Sequence, residues 1–232
     1  MSETLRIGVM ASGGGTNLQS IIDACQSGKC PAEVVVVISD RDDAFALERA
    51  RRYGIAAVHI PVGKTGSAAW EEADVAQVMV MKEYGVQLVC LAGYMRINGP
   101  ALLSAYPRAV LNIHPALLPA FPGVHVQALA ADHGVKIAGT TVHFADPEFD
   151  TGPIIIQAAV PVFDGDDGHA LGARILEQEH RIYPQAIKWF AEGRLQIEGR
   201  KVRVLDLHPD DPALYRGTTG KAMINPPLDT DF

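Results

Sequence analysis

Apolar and polar positions alternate in blocks along the first half of the chain, and these blocks predict strands and helices in turn. Residues 5–11 and 34–39 are short, nearly continuous apolar runs, typical of strands that are buried on both faces. Between them, apolar residues from Leu18 to Cys25 recur at i, i+3, i+4 and i+7, which predicts an amphipathic helix, and Gly28 marks its end.

The same alternation continues to about residue 113. Helices are predicted over residues 43–53 and 67–84, and strands over residues 56–61, 86–92 and 109–113. A chain in which strands and helices alternate in this way folds into an open, mostly parallel sheet. We therefore predict the α/β class, with a Rossmann-like sheet and helices on both of its faces.

The second half of the chain has a different pattern. Two strand-like runs, 135–145 and 152–162, are separated only by a turn, and they either pair as antiparallel neighbours or lie apart. A long helix over 167–192 and a hairpin over 195–205 follow. We predict one domain over residues 1–205, partly antiparallel in its C-terminal half, and an irregular acidic tail over 206–232, where prolines and glycines are frequent.

Charge and cysteine content argue against several kinds of partner and against a metal site. The chain has 20 basic and 27 acidic residues and a net charge of −7, which argues against nucleic-acid binding and against a polybasic membrane patch. No apolar run is long enough to cross a bilayer, and no signal peptide is visible. Cys25, Cys30 and Cys90 are interpreted as reduced structural thiols rather than metal ligands. We expect a cytoplasmic protein without a metal.

A glycine-rich loop, SGGGTN over residues 12–17, lies between the first strand and the first helix. Ligands of open α/β sheets bind at this end of the strands, and free N–H groups at a helix start attract anions. The loop lacks the Gly-Lys-Ser/Thr of a Walker motif and is not G-x-G-x-x-G, so a phosphate monoester is favoured over a dinucleotide. The alternative is a tight turn with Thr16 or Asn17 as the helix N-cap.

A second cluster of candidate residues follows the strand near residue 113. Asn112 and His114 stand at i and i+2, so an extended backbone places both on one face. An amide donor beside an imidazole suits a carbonyl substrate that develops an oxyanion. Asp150, in a turn, could hold His114 in one tautomer or simply form the turn. The structural alternative for Asn112 and His114 is a loop cap and a hydrogen-bonded core histidine.

Together these segments resemble one enzyme family. The chain carries SGGGTNLQ at 12–19, LAGYMRI at 91–97, LNIHPALLP at 111–119, DTGP at 150–153 and QEHRIYP at 178–184. This combination resembles the phosphoribosylglycinamide formyltransferases, folate-dependent enzymes of purine biosynthesis, over about residues 5–195. The Asn-x-His-Pro segment is shared with other formyl-folate enzymes, whereas the glycine-rich loop is more particular to this family.

The resemblance implies a formyltransferase domain and roles for individual residues. The substrates it implies are glycinamide ribonucleotide and 10-formyltetrahydrofolate, and it implies no metal. It does not decide whether the protein is a homodimer. The implied catalytic residues are Asn112, His114 and Asp150. The implied ribonucleotide-binding residues are Gly15, Thr16, Asn17 and Glu179. The implied folate-binding residues are Met95, Arg96, Ile97, Asn98, Asp146, Pro147, Glu148 and Phe149. The chain departs from the family before the third helix, where Lys64 takes the place of an arginine.

Three other functions stay open on these residues. Formyltetrahydrofolate deformylase shares the Asn-His-Asp chemistry. Its family resembles a catalytic domain with an amino-acid-sensing domain fused ahead of it, and this chain is expected to have no room for such a domain before Leu5. Methionyl-tRNA formyltransferase is disfavoured by the acidic charge balance and by the lack of a second basic domain. A non-catalytic phosphate- or folate-binding module would use the glycine-rich loop but would not need His114.

Overall fold

The computed structural model describes residues 4–207 and 222–232, which form two compact units. The first unit extends to Asn112 and also contains Ala145–Pro147. The second unit contains Ile113–Phe144 and the described residues from Glu148 onward. Residues 208–221 of the predicted tail lie outside the described residues.

The first unit contains a parallel sheet. Its strands are β1 (Leu5–Met10), β2 (Ala32–Ser39), β3 (Ala56–His59), β4 (Leu88–Leu91) and β5 (Val110–His114), the last two residues of β5 being counted with the second unit. Their order is β3-β2-β1-β4-β5, and every neighbouring pair is parallel. The predicted α/β class with a mostly parallel sheet is therefore confirmed.

Four helices connect these strands. They are α1 (Thr16–Gln26), α2 (Phe45–Arg52), α3 (Ala68–Glu83) and α4 (Pro100–Ala105). Helix α1 contacts α2, and α3 contacts α4. From β1 the chain runs outward through β2 to β3, and it then returns to β4 on the other side of β1. Right-handed crossovers therefore place the pair α1 and α2 on one face of the sheet and the pair α3 and α4 on the other. The carboxyl ends of β1 and β4 are the switch point where such sheets bind ligands.

Close packing of α3 on β1 depends on a glycine. A Cβ atom at Gly8 would overlap the sulfur of Met81, so only glycine lets the helix come this close. Met81 is fully buried in an apolar cluster with Met10, Val89 and Leu102. This cluster fixes the ends of β1 and β4 relative to each other, which positions the loops that follow these strands.

The second unit is mostly antiparallel. Its further strands are β6 (Ile137–Phe144), β7 (Ile154–Pro161), β8 (Leu195–Glu198), β9 (Lys201–Val204) and β10 (Met223–Asn225), and its helices are α5 (Val126–Asp132) and α6 (Gly168–Ala191). Strands β6 and β7 pair antiparallel, with Thr140 opposite Ala158, which decides between the two arrangements that the sequence left open. The predicted hairpin is confirmed by the antiparallel pair β8 and β9.

The predicted irregular tail contains one short strand near its end. Strand β10 pairs antiparallel with β7, and the following Asp229 accepts hydrogen bonds from Trp189 Nε1 and Gln185 Nε2, both at 3.2 Å. Burial opposes ionisation of Asp229, but these donors and the cations Lys188 and Arg194 keep its pKa below the ordinary value. Distant partners thus order a segment whose local sequence, with two prolines, favours no regular structure.

The sequence pattern missed two short helices, α4 and α5. Helix α4 has only six residues, and its first N–H groups are capped from outside the helix: the Asp74 carboxylate accepts from Ala101 N at 2.7 Å and from Leu102 N at 3.2 Å. A cap supplied from 27 residues earlier leaves no local signal. In the part of the chain that the structure describes, no helix is long and apolar enough to cross a membrane.

Candidate active site

The glycine-rich loop joins β1 to α1 through a left-handed residue. Gly15 is the N-cap of α1 with φ of 69°, and no side chain caps the helix, so Thr16 and Asn17 are not the N-cap. A Cβ atom at Gly15 would also lie 2.9 Å from Ala46 Cα. Both the backbone conformation and the contact with α2 therefore require glycine at this position.

The loop lines a pocket of about 460 Å³ in the first unit. The lining residues are Ser12, Gly13, Gly14, Gly15, Thr16, Asn17, Asp40, Arg41, Ala92, Gly93, Met95 and Arg96. Gly13 and Gly14 are exposed, and a Cβ atom at either would meet nothing within 4 Å. The first turn of α1 contains no acidic residue. No carboxylate of this turn therefore neutralises the positive end of the helix dipole, which favours the binding of an anion at this end.

Arg49 adds a positive charge beside this loop, which the sequence pattern did not indicate. Its Nε donates to Gly14 O at 2.8 Å and its Nη1 to Gln19 Oε1 at 3.0 Å, while the guanidinium lies 4.9 Å from the centre of the Phe45 ring. The arginine thus holds the loop backbone. It lies on α2, 35 residues away from Gly14, so no local motif reveals the contact.

The segment after β4 forms the other wall of the same pocket. Met95 N donates to Ser12 Oγ at 2.8 Å, which ties this segment to the glycine-rich loop. Arg96 Nε donates to the buried carboxylate of Asp40 at 2.7 Å. Met95 is 67% exposed and Ile97 47% exposed. Exposed apolar side chains beside a polar pocket are typical of a ligand-contact surface.

Helix α3 holds this segment through three polar groups on one of its faces. Trp70 Nε1 donates to Ile97 O at 3.0 Å, and Gln77 Nε2 donates to Tyr94 Oη at 2.8 Å. Asp74, between them on the helix, binds the N–H groups at the start of α4. Burial raises the pKa of Tyr94 well above its ordinary value, so the phenol stays protonated. The conformation of residues 94–98 is thus set from α3.

Asn112 and His114 project from β5 as the sequence predicted, at i and i+2 of one strand. Asn112 is half-buried, whereas His114 is buried with 4% exposure. His114 Nε2 lies 2.8 Å from the carbonyl oxygen of Phe121. A carbonyl can only accept a hydrogen bond, so Nε2 carries a proton.

The structure brings Asp150 and His114 together. Asp150 Oδ2 lies 3.4 Å from His114 Nδ1 and accepts from Gly123 N at 3.0 Å. Asp150 has φ of 56°, a left-handed conformation that aspartate and asparagine tolerate better than most residues. With Nε2 protonated, a second proton on Nδ1 would give an imidazolium that donates to this carboxylate. Contacts at both ring nitrogens therefore fix the orientation of the imidazole.

His143, on β6, is a second imidazole neighbour of Asp150. Its Nε2 lies 3.8 Å from Asp150 Oδ1, and its Nδ1 is 2.9 Å from Phe144 O, so Nδ1 carries a proton. The carboxylate thus lies between two buried imidazoles. The only sequence signal was the position of His143 near the end of β6, next to the turn that carries Asp150.

The remaining predicted residues occupy three different surroundings. Glu179 is buried on α6 with 7% exposure, which is unusual for a carboxylate. Asp146 is half-buried, whereas Pro147, Glu148 and Phe149 are exposed in the loop that leads to Asp150. Lys64 is exposed before α3. Among residues 4–207 and 222–232, no group of three or more histidine, cysteine or acidic side chains is arranged to hold a metal ion.

Comparison with known proteins agrees with this geometry. Residues 5–187 match the formyl transferase family. A phosphoribosylglycinamide formyltransferase from Escherichia coli (strain K12) is 46% identical over 193 residues, which cover 83% of this chain and 90% of that protein. The crystal structure of glycinamide ribonucleotide transformylase 1 from Symbiobacterium toebii is 56% identical, with a TM-score of 0.85 over 89% of this chain and 96% of that chain.

A formyltetrahydrofolate deformylase is a more distant structural relative. The crystal structure of the enzyme from Pseudomonas syringae pv. tomato str. DC3000 has a TM-score of 0.82 at 27% identity, and the match covers 88% of this chain but 67% of that one. The resemblance to the phosphoribosylglycinamide formyltransferases is confirmed by the higher identities. This chain belongs to the formyl transferase family.

Proposed function

We propose that the protein transfers the formyl group of 10-formyltetrahydrofolate to the amine of glycinamide ribonucleotide, a step of purine biosynthesis. The observation that carries the proposal is the buried pair of His114 and Asp150, 3.4 Å apart, with Asn112 on the same strand as His114. Membership of the formyl transferase family and the relatives named above support it.

The reaction needs no covalent enzyme intermediate. The amine nitrogen of glycinamide ribonucleotide attacks the formyl carbon and forms a tetrahedral oxyanion, the bond from this carbon to N10 breaks, and a proton passes from the amine to N10. Asn112 donates to the oxyanion, and protonated His114 stabilises its charge. Asp150 orients His114, stabilises positive charge on it and, through water, relays the proton.

The contacts of His114 support Nε2 as its donor to the substrate. Nδ1 faces Asp150, so Nε2 is the donor that can serve the substrate. In the structure the acceptor of Nε2 is the Phe121 carbonyl oxygen, at 2.8 Å. The substrate oxyanion is proposed to accept from this same Nε2.

The glycine-rich loop is the proposed phosphate site. The N–H groups at the start of α1, at Gly15, Thr16 and Asn17, hold the phosphate of glycinamide ribonucleotide, and Arg49 adds a nearby positive charge. Glu179 contacts the same substrate. Such a site explains how a chain of net charge −7 binds an anion, since backbone dipoles rather than a cationic cluster provide the local potential.

The proposed folate contacts come from two segments. Met95, Arg96, Ile97 and Asn98 form one, and Asp146, Pro147, Glu148 and Phe149 form the other. The exposure of the apolar side chains of Met95, Ile97 and Phe149 supports this role, because each offers a surface for a flat aromatic ligand.

One assay distinguishes the proposed activity from its alternatives. The purified protein is given 10-formyltetrahydrofolate with glycinamide ribonucleotide, or with water as the only acceptor, and release of tetrahydrofolate is followed. We expect release that depends on the ribonucleotide. Equal release without it would identify a deformylase, and tight binding of both ligands without turnover would identify a binding module.

Adjacent glycines allow a matched test of the phosphate site. Gly14→Ala is expected to raise KM for glycinamide ribonucleotide by about 10-fold or more, because the added methyl group meets no protein atom but restricts approach to the backbone. Its melting temperature should stay at the wild-type value. Gly15→Ala should lose about 1–2 kcal/mol of folding free energy, since it combines positive φ with a contact on Ala46. A Gly14→Ala variant with unchanged KM would remove this part of the loop from the phosphate site.

The role of α3 in positioning the folate segment can be tested with one conservative change. Trp70→Phe keeps the aromatic ring and removes the hydrogen bond to Ile97 O. We expect KM for 10-formyltetrahydrofolate to rise by about 2- to 10-fold, the equivalent of one hydrogen bond, with KM for the ribonucleotide unchanged. Glu71→Gln, an exposed change on the same helix, is the control. An equal rise in both KM values would contradict a local role.

The surroundings of the reaction complete the proposal. We place the protein in the cytoplasm, acting on small molecules rather than nucleic acid, with a homodimer as the assembly to test by sedimentation. We also propose that no metal takes part. Treatment with a chelator is expected to leave turnover unchanged, and loss of activity that added metal restores would disprove this.

A further inference from the structure

Two cysteines at the end of α1 have a contact that the proposed reaction does not use. Cys25 lies in the last turn of α1 and is half-buried, whereas Cys30, just before β2, is 2% exposed. Neither is part of a disulfide bond. The question is whether their arrangement supports chemistry beyond packing.

The turn after α1 brings the two residues together. Gly28 N donates to Cys25 O at 3.1 Å, and Cys30 N donates to Ala24 O at 3.1 Å, so the chain folds back onto the end of the helix. The glycine has φ of 77°, as this helix ending requires. In consequence Cys30 is the neighbour that most affects the Cys25 thiol, whose pKa it lowers.

The two thiols differ in access. Cys25 lines a cavity of about 230 Å³ in the first unit, whose other walls are formed by Ile22, Gln26, Ala32, Glu33, Val34, Tyr53 and Ile55. Cys25 is therefore the more accessible thiol, because it lines the cavity, whereas Cys30 is almost fully buried. Cys30 lowers the pKa of the Cys25 thiol, and burial and the charge of Glu33 oppose this without reversing it. Accessible thiolates react fastest with disulfides.

We propose that Cys25 and Cys30 form a reversible dithiol–disulfide site that reacts with low-molecular-weight disulfides such as glutathione disulfide. The Cys25 thiolate attacks one sulfur of the reagent, which forms a mixed disulfide and releases one glutathione thiolate. Cys30 then loses its proton and attacks the sulfur of Cys25, which releases the second glutathione. Two protein thiols are oxidised, and one glutathione disulfide is reduced to two thiols.

The chain contains its own reference thiol. Cys90 lies in β4 with no exposure and lines neither of the two pockets described above. It should therefore stay reduced under conditions in which Cys25 reacts. The inference does not depend on formyl transfer, because it requires only the two thiols and the cavity.

The test is the reaction of the folded full-length protein with glutathione disulfide, followed by intact mass and peptide mapping. We expect the wild type to lose two hydrogen atoms, with the new bond mapped to Cys25 and Cys30, and to recover fully with a thiol reductant. Cys30→Ser should accumulate a mixed disulfide with glutathione at Cys25. Cys25→Ser should not react at the wild-type rate, and Cys90→Ala should behave as the wild type.

Three results would overturn the proposal. A wild type that stops at the mixed disulfide would show that Cys30 cannot reach Cys25. A wild type in which neither thiol reacts would show that the cavity gives no access. Oxidation of Cys90 at the same rate as Cys25 would attribute the reaction to unfolding, which circular dichroism of the same samples would reveal independently.

Discussion

The Asp150→Asn variant is expected to lose turnover by about 10²–10³-fold while keeping its fold and its affinity for both substrates. The carboxylate lies 3.4 Å from His114 and 3.8 Å from His143, and it is the group that stabilises a positive charge on His114. Asparagine preserves the shape of the side chain but removes this charge. A positive charge on His114 would then lack its carboxylate partner, and the oxyanion would be stabilised less.

Two structural features argue that this variant folds. Asp150 has φ of 56°, a conformation that asparagine also tolerates, and the amide oxygen of asparagine can still accept from Gly123 N. Asp164→Asn is the matched control, since that carboxylate is 96% exposed and pairs with Lys136 on the surface. The measurement is kcat and KM for each substrate with the melting temperature of each variant. Turnover near the wild-type value would remove Asp150 from the mechanism.

The Asn112→Ala variant is expected to lose about 10²–10³-fold in kcat with little change in either KM, because the amide donor acts on charge that exists only in the transition state. Asn112 is half-buried on β5, opposite Leu91 of β4. Truncation there leaves the backbone ladder intact, so the fold should be retained.

A double variant tests whether these groups act as a unit. If Asn112 and Asp150, through His114, stabilise the same oxyanion, Asn112→Ala combined with Asp150→Asn should cost less than the product of the single effects. Losses that multiply would indicate independent roles. An Asn112→Ala variant with a raised KM and an unchanged kcat would show that the amide binds the ground state and the transition state equally, which contradicts its assignment as an oxyanion donor.

Much of the first unit could be predicted from the sequence because its signals are local. The apolar runs of β1, β2, β4 and β5 and the spacing on α1 depend only on neighbours along the chain, and the loop after β1 follows from three consecutive glycines. The shared face of Asn112 and His114 is a property of any extended strand. The order of alternating elements then fixed the class of sheet.

The contacts that the sequence could not predict join residues far apart in the chain. Asp74 caps α4 from 27 residues away, Arg49 holds Gly14 from 35 residues away, and β10 was hidden because its pairing with β7 outweighs the prolines beside it. A cap, a charge or a strand partner that comes from a distant part of the chain produces no pattern in the sequence around the position that it contacts.

The sequence by itself determined the α/β class, the glycine-rich loop and the residue types of the proposed catalytic cluster, since strand period, glycine conformation and side-chain chemistry are properties of short segments. Only the tertiary structure decided that Asp150 lies between His114 and His143 and that the Phe121 carbonyl oxygen accepts the hydrogen bond of His114 Nε2. The physical reason is that charge stabilisation acts over about 3–4 Å in space, and packing of the chain, rather than spacing along it, sets these distances.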